Sequence, residues 1–471
     1  MMSFFHTHLL LPLAERERHA GLARRLREIR RFERMPEKDQ RAIQQQRLQR
    51  ILQHAYDTVP HYRKRFDDAG FRPSDARIDR PLPLPALCRD DLRQGGDSLR
   101  SNAFQLKDLR QAGSSGTTST PIQFYRNIEA LRNKTAIQMQ LNSWAGYEVG
   151  NSVMMLWGAH RDLVIQPNWR WRLYEETLMR RTAAPAGFLN QEVLERFRIR
   201  YEKQRPKVLY GYSTILAAFA SYMQQHGMRH KPEVIIATAE VLHDSDRQLV
   251  ESVFGSRLFI HYGSRDTGMI CAECSAHQGM HFHPWSCYVE FDPVRETPDG
   301  LAYRILITDL LNYGQPFIRY DTGDCATLTS QPCSCGRWFP TASKILGRVS
   351  DGIVLADGGM VPGVSVGNHM SQLGETFRAI AQVQFVQKTH EHVHLRYVVK
   401  DRSPLAEQEL QTICHAIDSL ANHRMEWSLE QVADIPRERS GKIRLCVSEL
   451  PSRESTAASS VLTPEQPTLV S

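Results

Sequence analysis

The chain has 471 residues, too many for one ordinary domain and enough for two or three with separate cores. With 41% hydrophobic and 24% charged residues and a mean hydropathy of −0.43, its composition excludes disordered, collagen-like and disulfide-stapled classes. The formal charge of +7 is concentrated at the start, where residues 1–50 hold 12 Lys and Arg against 6 Asp and Glu.

The first apolar stretch, Leu9 to Ala14, is interrupted by Pro12 and followed by Glu15, with no basic segment before it. It reads as neither a signal peptide nor a membrane span. Nine cysteines without an export signal point to a reducing compartment, where clustered thiols bind metal or stay free. The expectation is a cytoplasmic protein with no membrane span. Leu22, Leu26, Ile29 and Phe32 then recur at helical spacing, which predicts an amphipathic helix with a solvated arginine face. The competing reading of Arg24 to Arg34, a contact with nucleic acid or an acidic surface, has no further nucleic-acid module to support it. Ile43, Leu48, Ile51, Leu52 and Ala55 mark a second helix, and Pro60 disfavours helix at Val59.

Residues 1–100 are expected to be a mostly helical segment packed on the next unit, closing at Pro81-Leu82-Pro83-Leu84-Pro85. From 101 to 346 short apolar runs (Val153 to Trp157, Val208 to Tyr210, Val234 to Ala237, Leu258 to His261) alternate with helical stretches (Thr214 to Gln225, Asp244 to Phe254). That alternation predicts a large α/β domain with buried strands. Residues 352–450 contain strand-like Ile380 to Gln387 and His392 to Val399, a helix from Leu405 to Ala421 and Trp427 to Val432, a small α+β unit. The segment 451–471, rich in Ser, Thr, Pro and Ala without a period, is expected to be a disordered tail.

Four loops carry residues suited to chemistry. Ser114-Ser115-Gly116-Thr117-Thr118 offers hydroxyls and backbone N–H groups to phosphate oxygens, although a plain Ser/Thr/Gly loop reads the same way and the GK[ST] ending of a Walker loop is missing. His261-Tyr262-Gly263-Ser264-Arg265-Asp266 supplies an aromatic face, a tight turn and a carboxylate suited to Mg²⁺, or simply a capped strand end. Tyr320-Asp321-Thr322-Gly323-Asp324 places two carboxylates where a ribose can be held, or forms a surface turn. Lys442, after the flexible Ser440-Gly441, is a cation on a loop, suited to charge building on an oxygen or to a basic surface turn. Separately, Cys271, Cys274, His277, His281, His283, Cys333 and Cys335 have ligand-like spacing for a structural Zn²⁺, against free buried thiols.

In order and together, these loops resemble the adenylate-forming (acyl-CoA synthetase) superfamily, and within it the phenylacetate-CoA ligase branch with its capsular-polysaccharide (CapK-like) relatives. Val59-Pro60-His61-Tyr62-Arg63, Leu209-Tyr210-Gly211-Tyr212-Ser213, Thr238-Ala239-Glu240-Val241-Leu242 and Cys333-Ser334-Cys335-Gly336-Arg337 add to the likeness over about residues 50–450. The resemblance implies a large N-terminal adenylate-forming domain of mixed sheets and helices, a hinge at 347–351 and a small C-terminal α+β lid. It also implies a ligase that adenylates a carboxylic acid with ATP and passes the acyl group to a thiol, from coenzyme A or a carrier protein.

By that resemblance Ser114, Ser115, Gly116, Thr117 and Thr118 cradle phosphates. Tyr262 and Gly263 lie at the adenine with Ala239 and Glu240, Asp266 is the Mg²⁺-linked acid, Asp324 holds the ribose, Arg348 contacts ribose or phosphate, and Lys442 bridges substrate carboxylate and α-phosphate. Comparison with zinc-bearing members favours Cys274, His281, Cys333 and Cys335, with Cys271 as competitor. A monomer or homodimer is implied. Acid-pocket walls are expected at Trp157 to His160, Tyr210 to Ser213 and around Ala239, with aromatic, fatty and amino acids all open. Three departures stand out: Thr118-Ser119-Thr120-Pro121 lacks the family's loop glycine and lysine, Asp266 replaces Glu, and Ser350 replaces an acidic or lysine hinge residue. Two other readings follow: an adenylyltransferase that stops at the adenylated product, and a non-catalytic polysaccharide-biosynthesis relative.

Overall fold

A computed structural model describes residues 20–113, 123–157, 174–185, 191–239, 241–242, 244–297, 300–329, 331–348, 352–354, 360–362, 380–399, 406–420, 425–436 and 445–450. Helix α1 (Leu22–Glu33) buries Leu22, Leu26, Ile29 and Phe32, the apolar stripe expected from their spacing. Helix α2 (Glu37–Thr58) ends at Val59, which is extended (φ −119°, ψ 108°) because Pro60 crowds its helical conformation; Pro60 then opens α3 (Pro60–Asp68). Leu48, Ile51, Leu52, Tyr62 and Phe66 from these helices share a core with Tyr288, Phe317 and Tyr320 from far along the chain. No helix among the described residues is long and apolar enough to cross a membrane.

Two strands, β1 (Leu109–Gly113) and β2 (Gln123–Asn127), form an antiparallel pair on either side of 114–122. Helix α4 (Arg89–Gln94) precedes them and α5 (Ile128–Trp144) follows. The main sheet then collects eleven strands. Its parallel half is β3 (Val153–Trp157), β4 (Arg181–Pro185), β5 (Val208–Tyr212), β6 (Val234–Thr238) and β7 (Leu258–Ser264), in spatial order β4-β3-β5-β6-β7. These are the apolar runs of the sequence, and both faces are covered as continuous hydrophobic strands require. Helices α6 (Gln191–Gln204), α7 (Ser213–His226) and α8 (Asp244–Phe254) contribute Phe197, Phe219 and Phe254 to one face, while Ala145 and Tyr147 cap the other.

The other half is antiparallel: β8 (Gly268–Glu273), β9 (Met280–Phe282), β10 (Cys287–Thr297), β11 (Gly300–Asp309), β12 (Tyr320–Leu328) and β13 (Thr341–Arg348), continuing from β7 in the order β8-β9-β13-β12-β11-β10. Toward the C-terminus, β14 (Gly352–Val354) pairs β15 (Met360–Pro362). A separate sheet holds β16 (Ile380–Gln387), β17 (His392–Val399), β18 (Glu426–Gln431) and β19 (Cys446–Ser448), with helix α9 (Glu407–Leu420) burying Ile413 in its core. The fold is α/β with a large mixed sheet and a small α+β unit.

One polar cluster ties α1 to the main sheet. The Glu33 carboxylate lies 2.9 Å from His283 Nε2, accepts from Trp144 Nε1 at 3.2 Å and lies 3.8 Å from Arg337. Burial opposes its ionisation, but the His283 bond and charge and the Arg337 charge outweigh it, and the Glu33 carboxyl sits below its ordinary value of 4.5. A lowered pKa means that the contribution of Glu33 to stability is complete above about pH 4.5 and is lost as pH falls below that. Glu33→Ala is expected to cost about 3 kcal/mol at pH 7, since it strands buried partners. Thermal melts of both proteins at pH 7 and pH 4 should show the gap narrowing in acid; a gap that stays constant would exclude an ionised Glu33 as the anchor.

Candidate active site

The β7–β8 turn presents Asp266. Ser264 Oγ accepts the backbone N–H groups of Asp266 (3.2 Å) and Thr267 (3.1 Å), so the turn is closed by its own hydroxyl. Two cations grip its outer carbonyls: the Arg126 guanidinium donates to the Arg265 and Asp266 oxygens, and Lys134 donates to the Thr267 oxygen while pairing with Asp309 at 2.6 Å. Gly263 is required, since a Cβ there would lie 2.4 Å from the Gly268 oxygen. Held this way, the Asp266 side chain is 5% exposed and its Oδ2 accepts the Tyr320 hydroxyl at 2.8 Å. Burial, followed by the Asp266 charge, raises the Tyr320 pKa, so the phenol stays a donor.

Arg89 completes this group. Leu87 N–H donates to the Arg319 oxygen (2.9 Å) and Asp321 N–H to the Leu87 oxygen (3.0 Å), which stitches the N-terminal segment to β12. Two residues later, Arg89 Nη2 reaches 3.8 Å from Asp266 Oδ2 and the guanidinium bonds Tyr320. Burial lowers the Arg89 pKa, but the charges of Tyr320, Asp266 and Asp324 and the Tyr320 hydrogen bond outweigh it, leaving a net upward shift.

A second phenol–carboxylate pair lies beside the first. Tyr262 Oη donates to Asp324 Oδ2 at 2.8 Å across 62 positions of sequence. Asp321 Oδ1 accepts Gly323 N–H (2.8 Å) and Thr322 Oγ1 accepts Asp324 N–H (3.1 Å); Gly323 adopts φ 76°, the left-handed conformation this turn needs. Asp324 is opposite Arg348 in the β12–β13 register. After β6, Ala239 takes φ 68°, unusual for a residue with a Cβ, and Val241 then packs near Gly347 and against Cys325 and Leu346. Ala239, Val241, Tyr262, Asp324 and the end of β13 thus meet in one region.

Across the carboxyl ends of the parallel strands runs an aromatic row. Trp157 stacks on Tyr210 (6.0 Å, 15°) and meets Tyr212 edge-on (4.9 Å, 64°). His261 lies 6.1 Å from Tyr210, is 2% exposed, and burial depresses its pKa to about 3.

The cysteine set resolves by geometry. The donor atoms of Cys274, His281, Cys333 and Cys335 all lie within 4.8 Å of one another, with Cys274 Sγ 3.6 Å from Cys333 Sγ and Cys335 Sγ 3.5 Å from His281 Nε2. Thr341 Oγ1 donates to the Phe339 oxygen at 2.7 Å and therefore accepts from His281 Nδ1 at 2.9 Å. That leaves the lone pair of a neutral ring on Nε2, facing the thiols. Although burial raises it, bonds from the backbone and side chain of Arg337 hold the Cys335 thiol below its ordinary range. Cys271 lies elsewhere, buried opposite Tyr262 and beside Cys287 in the sheet core, and burial keeps its thiol protonated. His283 belongs to Glu33, and His277 packs on Phe259.

Of the residues expected at the site, Asp266, Tyr262, Gly263, Asp324 and Ala239 and the backbone of Arg348 are described; Ser114 to Thr118, Glu240, Ser350, Lys442 and the Arg348 side chain lie outside the described residues. Sequence reasoning missed Arg89, Tyr320, His261 and the Arg126 and Lys134 clamp. Arg89 carries no local signal, because its nearness to Asp266 depends on a bridge between positions 87 and 320.

Residues 353–449 match the CapK C-terminal domain. A phenylacetate-coenzyme A ligase from Thermus thermophilus is 26% identical over 392 residues, covering 80% of this chain and 82% of that protein. One from Pseudomonas putida is 25% identical, covering 74% and 78%. The fold is also that of a solved 2-hydroxyisobutyryl-CoA ligase in its postadenylation state, with TM-score 0.68, 18% identity, and 90% and 92% of the two chains covered. The chain is thus similar to phenylacetate-coenzyme A ligases over most of its length, matches the CapK C-terminal domain over its last hundred residues, and shares the fold of a solved CoA ligase.

Proposed function

We propose that the protein is an ATP-dependent, AMP-forming acid–thiol ligase. A carboxylate oxygen of the acid attacks the α-phosphorus of ATP, the bond to the bridging oxygen breaks and pyrophosphate leaves. A thiolate, from coenzyme A or a carrier protein, then attacks the acyl carbon and AMP departs. The observation that carries this reading is the pair of phenol-held carboxylates, Asp324 with Tyr262 and Asp266 with Tyr320, which β7, its following turn and β12 present near Arg89 in a chain similar to phenylacetate-CoA ligases. Asp324 suits two ribose hydroxyls and the Tyr262 ring an adenine face. Asp266 offers the hard oxygen donor that Mg²⁺ prefers, with nucleotide phosphates supplying the rest of the shell. Arg89 faces the same carboxylate and offers positive charge in a chain whose segment 118–121 has no lysine in its sequence.

In this reading Ser114 to Thr118 cradle phosphates, Ala239 and Glu240 border the adenine, and Arg348 contacts ribose or phosphate. The unit 352–450 turns about 347–351 as a lid that delivers Lys442. Zn²⁺ fits the donor set Cys274, His281, Cys333 and Cys335. A tetrahedron with ordinary Zn–S and Zn–N bonds has S···S edges of about 3.8 Å and S···N edges of about 3.6 Å, against 3.6 and 3.5 Å here. Its closed donor set supplies structure, not chemistry. A cytoplasmic monomer or homodimer completes the proposal.

Pyrophosphate release over a panel of carboxylic acids tests adenylation, and AMP release dependent on added coenzyme A tests the second step. An adenylyltransferase would show the first without the second, and a non-catalytic relative neither. Lys442→Ala is expected to lower pyrophosphate release by about 10³-fold with melting temperature and metal content unchanged; full activity in this variant removes Lys442 from the mechanism.

A further inference from the structure

His261 is unused by the roles assigned above, and its environment is unusual. Its side chain is 2% exposed, and among the described residues neither ring nitrogen has a hydrogen-bond partner. A buried polar group in that condition calls for a ligand or a bound water. Its place in the sheet says which. In the ladder, Tyr212 is opposite Thr238 and Thr238 opposite His261; Leu156 is opposite Gly211, so Trp157 comes level with Tyr212. Residues level on neighbouring strands project to one face. Trp157, Tyr212, Thr238 and His261 therefore form a row, with Tyr210 two positions below Tyr212 and its ring 6.1 Å from that of His261. The row stands at the carboxyl ends of four parallel strands, where open α/β sheets bind ligands. Tyr262, the next residue along β7, projects to the opposite face and reaches Asp324. One strand thus serves two compartments.

We infer that this row walls the acid pocket and that the acid is a flat, aromatic one carrying a hydroxyl or amino substituent read by His261. The inference deepens the ligase reading and rests on it. Three aromatic rings, with faces and edges both available, suit a planar body more than a flexible chain. A neutral imidazole has one N–H donor and one bare nitrogen, so it complements a hydroxyl or amino group, which can both give and accept a hydrogen bond. An unsubstituted aryl acid would seal His261 away from water with nothing to bond. A site built around a hydrogen bond rejects the analogue that lacks it more sharply than an apolar pocket rejects an added group.

The test compares phenylacetate, 3-hydroxyphenylacetate, 4-hydroxyphenylacetate and hexanoate in pyrophosphate release by the unaltered full-length protein. One of the hydroxylated acids is expected to exceed phenylacetate by on the order of 10²-fold in kcat/KM, with hexanoate weaker still. His261→Leu should erase most of that preference while KM for ATP stays the same. Equal rates for hydroxylated and plain acids overturn the inference, as does a preference that survives in His261→Leu; a trapped water would produce the first result. The comparison among acids needs no variant, so a His261→Leu protein that fails to fold leaves it decisive. If no acid supports pyrophosphate release, thermal shift with each acid alone decides. Stabilisation by the hydroxylated acids and not by phenylacetate upholds the pocket assignment, and no shift overturns it. ATP binding, measured separately, then judges the ligase reading.

Discussion

On the zinc assignment proposed above, Cys333→Ser is expected to abolish metal binding and lower the melting temperature by about 10 °C, corresponding to roughly 4 kcal/mol or more for a domain of this size. The size of the effect follows from what the four donors join. Cys274 follows the end of β8, His281 lies on β9, and Cys333 and Cys335 occupy the connection from β12 to β13. β9 pairs β13 over only two residues, Thr341 with His281 and Ala342 with Met280, so the ladder there is short and the cluster reinforces it. Removing one thiolate from a closed tetrahedral set leaves three donors and an open position, which weakens binding and releases the stabilisation that binding confers on the fold. Cys271→Ser is the internal control. Cys271 lies in β8, three positions before Cys274 but outside the cluster, and its variant should keep a full equivalent of zinc. Metal content by mass spectrometry and thermal melts with and without chelator measure both. A Cys333→Ser protein that retains one zinc and melts with the wild type would refute the assignment.

Asp266→Asn is expected to reduce pyrophosphate release by on the order of 10²- to 10³-fold with little change in stability. The substitution preserves shape and removes charge. Asp266 Oδ2 accepts from Tyr320 at 2.8 Å and faces Arg89 at 3.8 Å, and the backbone of its turn is held independently by Ser264, Arg126 and Lys134. An amide therefore occupies the same position but cannot balance Arg89 or serve as a hard anionic donor toward Mg²⁺. The loss should lie in kcat and in the Mg²⁺ dependence, with KM for the acid nearly constant. Tyr320→Phe separates charge from positioning: it deletes one hydrogen bond and keeps the carboxylate, so about a tenfold loss is expected. Activity of Asp266→Asn within twofold of the wild type across Mg²⁺ concentrations would remove Asp266 from the chemistry.

Legibility of the fold followed the strength of local pattern. The apolar runs at Val153, Val208, Val234 and Leu258 are strands with nearly the expected bounds, and Ile380–Gln387 and His392–Val399 match theirs residue for residue. Buried parallel strands and amphipathic helices write their environment into consecutive residues, so composition over a short window suffices. The antiparallel half was less visible. β8, β9 and β13 mix polar and apolar residues because they carry turns, bulges and cluster ligands as well as core side chains, and β9 is only three residues long. Helix α5 lacks a clean stripe since residues around its circumference are buried, among them Ile137, Met139, Gln140 and Asn142.

By itself the sequence determined the periodicities, the order of the site motifs and the cysteine and histidine supply, because each is a property of neighbouring residues. Tertiary structure alone decided which side chains share a place. Cys274 joins His281 and Cys335 while Cys271, three positions earlier, turns into the sheet core. Tyr262 finds Asp324, Tyr320 finds Asp266, and Arg89 reaches Asp266 because Leu87 is stitched to β12. Among the described residues the His261 ring has no hydrogen-bond partner, since the strands beside it carry rings and a threonine whose hydroxyl donates to the His261 backbone oxygen. The physical reason is common to all of these. A local period fixes the face on which a side chain lies, whereas its partner is chosen by sheet order and register, which depend on contacts among segments up to hundreds of residues apart.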